Sequence, residues 1–149
     1  MRDELYQQTI LEHNRHPRNF KKLEKPTHFA EGYNPLCGDH LWVYLKVNPS
    51  SNIIEEASFE GSGCAISKAS ASMMTASLIN KPVAEFKGIF NEFHQLVIGK
   101  LNPEKQENLL GKLAVFSGIW QYPSRVKCAS LGWHTVNAAL EKKESVSTE

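Results

Sequence analysis

The sequence predicts an α+β fold: a small, mainly antiparallel β-sheet packed on one face by helices. Three observations carry this. Residues 41–47, Leu-Trp-Val-Tyr-Leu-Lys-Val, alternate, with Leu41, Val43, Leu45 and Val47 on one side and Trp42, Tyr44 and Lys46 on the other. The turn Asn48-Pro49-Ser50-Ser51-Asn52 follows, and residues 53–60 return as a second strand with Ile54 and Phe59 among its apolar positions. Apolar residues then recur at spacings of three and four on both sides of this hairpin, which segregates helices from strands.

In chain order, residues 3–14 read as a helix with Asp3 as N-cap and Leu5, Tyr6, Ile10 and Leu11 as its apolar positions. Pro17 disfavours helix at His16, so the basic and polar run from His13 to Asn19 becomes a solvated loop. An irregular connection carries Pro26, and a short strand is expected over residues 28–33. After the hairpin, Gly61-Ser62-Gly63 makes a sharp exit, and the Ala/Ser-rich run from Ala65 to Thr75 reads as a helix able to pack closely on the sheet. Residues 82–98 give another helix, through Val83, Phe86, Ile89, Phe90, Phe93 and Val97, with Gly99 as its C-cap. Asn102 and Pro103 read as N-cap and first position of a further helix, whose broad apolar face runs from Leu109 through Leu113 and Phe116 to Trp120. A last helix opens near Pro123 and ends near residue 141, leaving a polar tail, 142–149, expected to fray.

The chain has 149 residues, 41% of them hydrophobic, which suits one domain with its own core. Neither repeats nor an interdomain linker divide residues 1–149. A net charge of +1, from 17 basic and 16 acidic residues, excludes a nucleic-acid footprint and a polybasic membrane patch. No apolar run is long enough to span a bilayer, and Met1-Arg2-Asp3-Glu4-Leu5 lacks the apolar stretch of a signal peptide, so a cytoplasmic location is expected. Three cysteines are an odd number and do not make a disulfide framework. In a reducing compartment they point to metal or thiol chemistry.

Each cysteine has a distinctive setting. Asn34-Pro35-Leu36-Cys37-Gly38-Asp39 places a thiol and a carboxylate two residues apart, on a bend that Gly38 permits. Cys64 follows the Gly-Ser-Gly exit at a helix start, where the helix dipole favours a thiolate. Cys128 follows Arg125 and Lys127, also near an expected helix start, and both charges lower a thiol pKa. With Asp39 they supply three sulfurs and one oxygen, the number of ligands zinc usually takes. No Cys-x-x-Cys pair occurs, so zinc ribbons and thioredoxin-type sites find no support. The competing reading of each position is local: a surface turn at Cys37, a small buried residue at Cys64. His13, His40 and His134 are alternates for a metal position, although His40, adjacent to Asp39 at a strand entry, would point away.

Taken together, Asn34-Pro35-Leu36-Cys37-Gly38-Asp39, Gly61-Ser62-Gly63-Cys64-Ala65-Ile66-Ser67 and Arg125-Val126-Lys127-Cys128-Ala129 resemble the U-type iron–sulfur cluster assembly proteins, the IscU/NifU-like family. In its IscU branch a histidine directly precedes the last cysteine, after a Leu-Pro-Pro-Val-Lys stretch. Here that position is Lys127, after Tyr122-Pro123-Ser124-Arg125-Val126. The SufU branch carries an Arg-x-Lys-Cys sequence and an added segment between the second and third cysteine motifs. Both features occur here, the segment spanning about residues 100–120 as a helical insertion.

The resemblance implies that the three cysteine loops converge at one end of the sheet. It implies zinc held by Cys37, Asp39, Cys64 and Cys128, with Cys37 also the sulfur acceptor and Arg125 a basic residue acting beside it. It implies persulfide sulfur taken from a SufS-type cysteine desulfurase and relayed to a SufBCD-type iron–sulfur scaffold, a zinc-dependent sulfurtransferase at most. The alternative within the family is a scaffold that builds an iron–sulfur cluster on the same residues. A third reading, from another class, is a non-catalytic interaction module with a structural zinc.

Overall fold

The computed structural model describes residues 3–148. In chain order the elements are α1 (Asp3–Arg15), β1 (His28–Asn34), β2 (Asp39–Val47), β3 (Ile54–Ser62), α2 (Ala65–Leu78), α3 (Val83–Val97), α4 (Pro123–Leu140) and β4 (Ser145–Ser147). Two 3-10 segments, Gly111–Phe116 and Ile119–Gln121, lie between α3 and α4. The expected α+β architecture is therefore present. The expectation that Asp3 caps α1 concerns a side chain outside those described.

The sheet order is β3-β2-β1-β4. β1 and β3 both pair antiparallel with β2, with Ala30 opposite Val43 on one side and Phe59 opposite Val43 on the other. The alternation of β2 sets which face is covered. Leu41, Val43, Leu45 and Val47 are buried together with Ala30, Ala57 and Phe59. Helix α4 lies against β1 and β2, and α2 against β3. Each fully buried aliphatic side chain contributes about 1.5–3 kcal/mol. The small residues Ala69, Ser70, Ala71 and Ser72 of α2 are buried, and this lets α4 approach closely. Trp133 of α4 anchors the layer beyond, stacked on Phe93 at 4.5 Å and donating its Nε1–H to Ser70 Oγ at 3.2 Å. The opposite sheet face carries Glu31, Tyr33, His40 and Trp42, with His40 paired to Glu31 and stacked on Trp42.

Several expectations need correction. The C-terminal tail was expected to fray, yet Ser145–Ser147 form β4 and pair parallel with Glu31–Tyr33, making the sheet mixed. The helix expected over residues 102–120 is absent. Asn102 Oδ1 accepts from Glu104 N–H and Asn108 Oδ1 from Leu110 N–H, and such local bonds compete with helix. Gly111 then takes a left-handed φ of +55°, and only short 3-10 turns follow. Leu110, Leu113, Phe116 and Ile119 are still buried, whereas Leu109 and Trp120 are exposed. The loop after α1 is not freely solvated. Asn19 and Lys21 exchange backbone hydrogen bonds with Phe59 and cover the outer edge of β3. Among the described residues no helix is long and apolar enough to cross a membrane.

Candidate metal centre

The centre is built where three chain segments meet at one end of the sheet. The first is the turn between β1 and β2. Asn34 and Asp39 are the last register pair of that hairpin. Gly38 closes the turn, donating its N–H to Asn34 C=O at 2.9 Å with φ +74°, a conformation that side-chain-bearing residues resist. Cys37 is therefore held at the exposed tip, while Asp39, two residues on, is fully buried.

The second segment is the exit from β3. Cys64 is the N-cap of α2, with its Sγ accepting from Ser67 N–H at 3.4 Å. Its own N–H donates to Asp39 Oδ1 at 2.7 Å. Gly63 makes this approach possible, because a Cβ there would lie 2.7 Å from Asp39 Oδ1 and 2.5 Å from Ser67 Oγ.

The third segment is α4. The sequence suggested Cys128 near a helix start, but α4 begins at Pro123, so Cys128 lies in the second turn and is buried. Its sulfur is positioned by packing more than by the helix end. Cys128 Sγ lies 3.2 Å from Cys37 Sγ. One ligand atom each from Cys37, Asp39 and Cys128 all fall within 4.8 Å of one another. Ligands about 2–2.3 Å from a tetrahedral zinc sit about 3.3–3.8 Å apart, so this donor set fits such an ion. Cys64 stands at the edge of the group, its sulfur beside Cys128 and turned onto the α2 N-terminus.

Asn34 ties the group together from behind. Its fully buried amide donates to Asp39 Oδ2 at 3.0 Å and to Cys128 Sγ at 3.7 Å. Asp39 thus receives a donor on each oxygen, which fixes the carboxylate in orientation. The two inner thiols share a proton unequally. Hydrogen bonding from Cys128, aided by the Ser67 N–H, pulls the Cys64 thiol down to about 6 against its burial. The same interaction, then burial and the Cys37 thiol, pushes Cys128 up.

Arg125 lies in the first turn of α4, its guanidinium 4.4 Å from the centre of the Tyr122 ring. The alternate histidines stay outside the group. His40 faces the open side of the sheet, His13 Nδ1 is 2.7 Å from Ser72 Oγ, and His134 packs edge-on against Phe90. The sequence places Asn34 at the head of the Cys37 turn without marking a role for it. Its position opposite Asp39 across a four-residue turn was the available signal.

The model of the NifU-like N-terminal domain matches residues 5–142. The chain belongs to this family. It is 34% identical over 142 residues to the zinc-dependent sulfurtransferase SufU of Bacillus subtilis, covering 95% of this chain and 93% of that one. It is 36% identical over 138 residues to the iron–sulfur cluster assembly scaffold protein IscU of Thermotoga maritima, covering 93% and 94%. Its structure is similar to that of a SufU described as a putative iron–sulfur cluster assembly scaffold for the SUF system from Fervidobacterium islandicum, with a TM-score of 0.82 and 31% identity, covering 94% of this chain and 99% of that one. Within the NifU-like family, then, the chain is similar to proteins named for zinc-dependent sulfur transfer and to proteins named as scaffolds.

Proposed function

We propose that this chain is a zinc-bound sulfur acceptor in iron–sulfur cluster assembly, with Cys37 taking persulfide sulfur from a SufS-type cysteine desulfurase. The observation that carries the reading is the contrast between Cys37, exposed at a turn tip, and the buried Asp39 and Cys128 whose ligand atoms it meets. A purely structural site has no need of one exposed ligand. The zinc would be held by Cys37, Asp39 and Cys128, with Cys64 as the fourth ligand. Bound there, zinc supplies charge that keeps the thiols deprotonated.

The chain's own residues account for the rest. The Cys37 thiolate reaches a partner from the turn tip and attacks the outer sulfur of its persulfide. The new S–S bond forms on Cys37 as the partner's inner S–S bond breaks, and the partner's cysteine leaves as thiolate. No oxidant is consumed, because the sulfane sulfur moves between two thiolates. Arg125 presents positive charge on the same end of the molecule and favours the anionic persulfide. The acceptor downstream is a SufBCD-type scaffold, and residues 1–149 act as one unit with 100–120 as the branch-specific insertion.

The test is turnover of a SufS-type cysteine desulfurase with and without the zinc-loaded protein, with mass spectrometry of Cys37. Stimulation and a persulfide on Cys37, both lost in Cys37→Ser, support the relay. The similarity to IscU favours the second reading, assembly of a cluster on the same residues. A stable iron–sulfur chromophore that passes to an apo-acceptor, without stimulation of the desulfurase, replaces the relay with that scaffold reading.

A further inference from the structure

Tyr122, Arg125 and Cys128 stand three residues apart, Tyr122 as the N-cap of α4 and the other two in its first two turns. Residues at this spacing share a helix face. One stripe of α4 therefore leads from the Tyr122 ring through Arg125 to Cys128, whose sulfur lies 3.2 Å from Cys37 Sγ.

Helix stability does not account for Arg125. A cation in the first turn opposes the helix dipole, and α4 has no acidic residue there to offset it. Among the described residues no carboxylate pairs with the guanidinium. Tyr122 is what holds it. The guanidinium lies over the Tyr122 ring, 4.4 Å from its centre. Arg125 N–H also donates to Tyr122 C=O at 2.9 Å, and Pro123 restricts the Tyr122 backbone. The Tyr122 side chain is 43% exposed and makes no capping hydrogen bond, so neither the core nor the cap accounts for the ring. A ring over one face of a guanidinium leaves the N–H donors at its rim available to an anion.

We propose that Tyr122 is a positioning residue for sulfur transfer, its ring holding the Arg125 guanidinium at the Cys37 end of α4 to receive the anionic persulfide. The proposal rests on the relay reading above and adds to it a residue outside the ligand set. Without the ring, the long Arg125 side chain spreads over its rotamers and presents its charge less often.

The test uses Tyr122→Leu, Tyr122→Phe, Arg125→Gln and the double variant Tyr122→Leu/Arg125→Gln, each as the full zinc-loaded chain. The kcat/KM of a SufS-type cysteine desulfurase is measured with each variant as sulfur acceptor. Tyr122→Leu lowers it about 2- to 5-fold, and Tyr122→Phe, which keeps the aromatic face, restores it. In the Arg125→Gln background, Tyr122→Leu causes no further loss. NMR of the chain alone reads the contact directly: the ring current displaces the Arg125 Nε–H resonance in wild type and Tyr122→Phe but not in Tyr122→Leu. Full transfer by Tyr122→Leu, or an equal loss with and without Arg125, overturns this proposal alone. Full transfer by Arg125→Gln removes Arg125 from the relay and this proposal with it. A wild-type chain that takes no persulfide on Cys37 overturns the relay itself.

Discussion

Asn34 and Asp39 face each other at the end of the β1–β2 hairpin, and the Asn34 amide donates to Asp39 Oδ2 at 3.0 Å. Both side chains are fully buried. A surface turn would not place a carboxylate here, because an ionised group out of water needs donors. Asn34→Ala removes one of the two donors that Asp39 has. The expected outcome is a loss of about 1–3 kcal/mol in denaturant unfolding, with zinc affinity about 10-fold weaker by chelator competition. Unchanged affinity would show that the amide does not orient the carboxylate.

The two glycines of the centre separate strain from crowding. At Gly63 a Cβ would meet Asp39 Oδ1 at 2.7 Å, and the Cys64 N–H bond to that oxygen must lengthen. Gly63→Ala is expected to cost about 1–3 kcal/mol and to weaken metal binding. At Gly38 nothing lies within 4 Å of a Cβ, so only the φ of +74° resists substitution. Gly38→Ala is expected to cost about 1–2 kcal/mol. Paired urea titrations of the two variants, read with their zinc content, check the difference.

Acid should destabilise the fold through its histidines. Burial lowers the pKa of His134, His13 and His28, aided in each case by nearby cationic groups. The folded state therefore binds protons less readily than the unfolded chain, whose histidines titrate near 6.5. Stability is complete above that value and declines as pH falls through it toward the lower folded pKa values. Melting temperatures of the chelated protein between pH 7.5 and 5.5 should fall, and His134→Leu should flatten the slope. A slope unchanged in that variant would remove His134 from the account.

The tail can be tested by truncation. Glu31 N–H donates to Glu144 C=O at 2.9 Å, and Thr148 N–H to Tyr33 C=O at 3.1 Å. Removing residues 144–149 opens the edge of β1. Each backbone bond contributes about 0.5–1.5 kcal/mol. Hydrogen exchange at the Glu31 amide should accelerate on truncation, and equal protection in the shortened chain would show that β4 does not guard it.

Particular residues show how far the sequence reads. The β2 alternation, the turn at Asn48–Asn52 and the helix start at Cys64 were legible because neighbours within a few residues decide them. So was the pairing of Cys37 with Asp39, which one four-residue turn imposes. The segment after Asn102 misled, since its apolar spacing is helical while its asparagines satisfy the backbone locally. β4 was illegible because three polar-flanked residues carry no strand signal until β1 offers an edge.

By itself, then, the sequence determined the hairpin, the covered face of β2 and the three cysteine settings, all consequences of backbone preference and side-chain period over short range. Only the tertiary structure decided that Cys128 lies in the second turn of α4 with its sulfur 3.2 Å from Cys37, across 91 residues of chain. It alone decided that Asn34 reaches Cys128 across 94 residues. Those contacts depend on how α2 and α4 pack against one sheet, and packing is settled by the summed fit of buried side chains rather than by any local pattern.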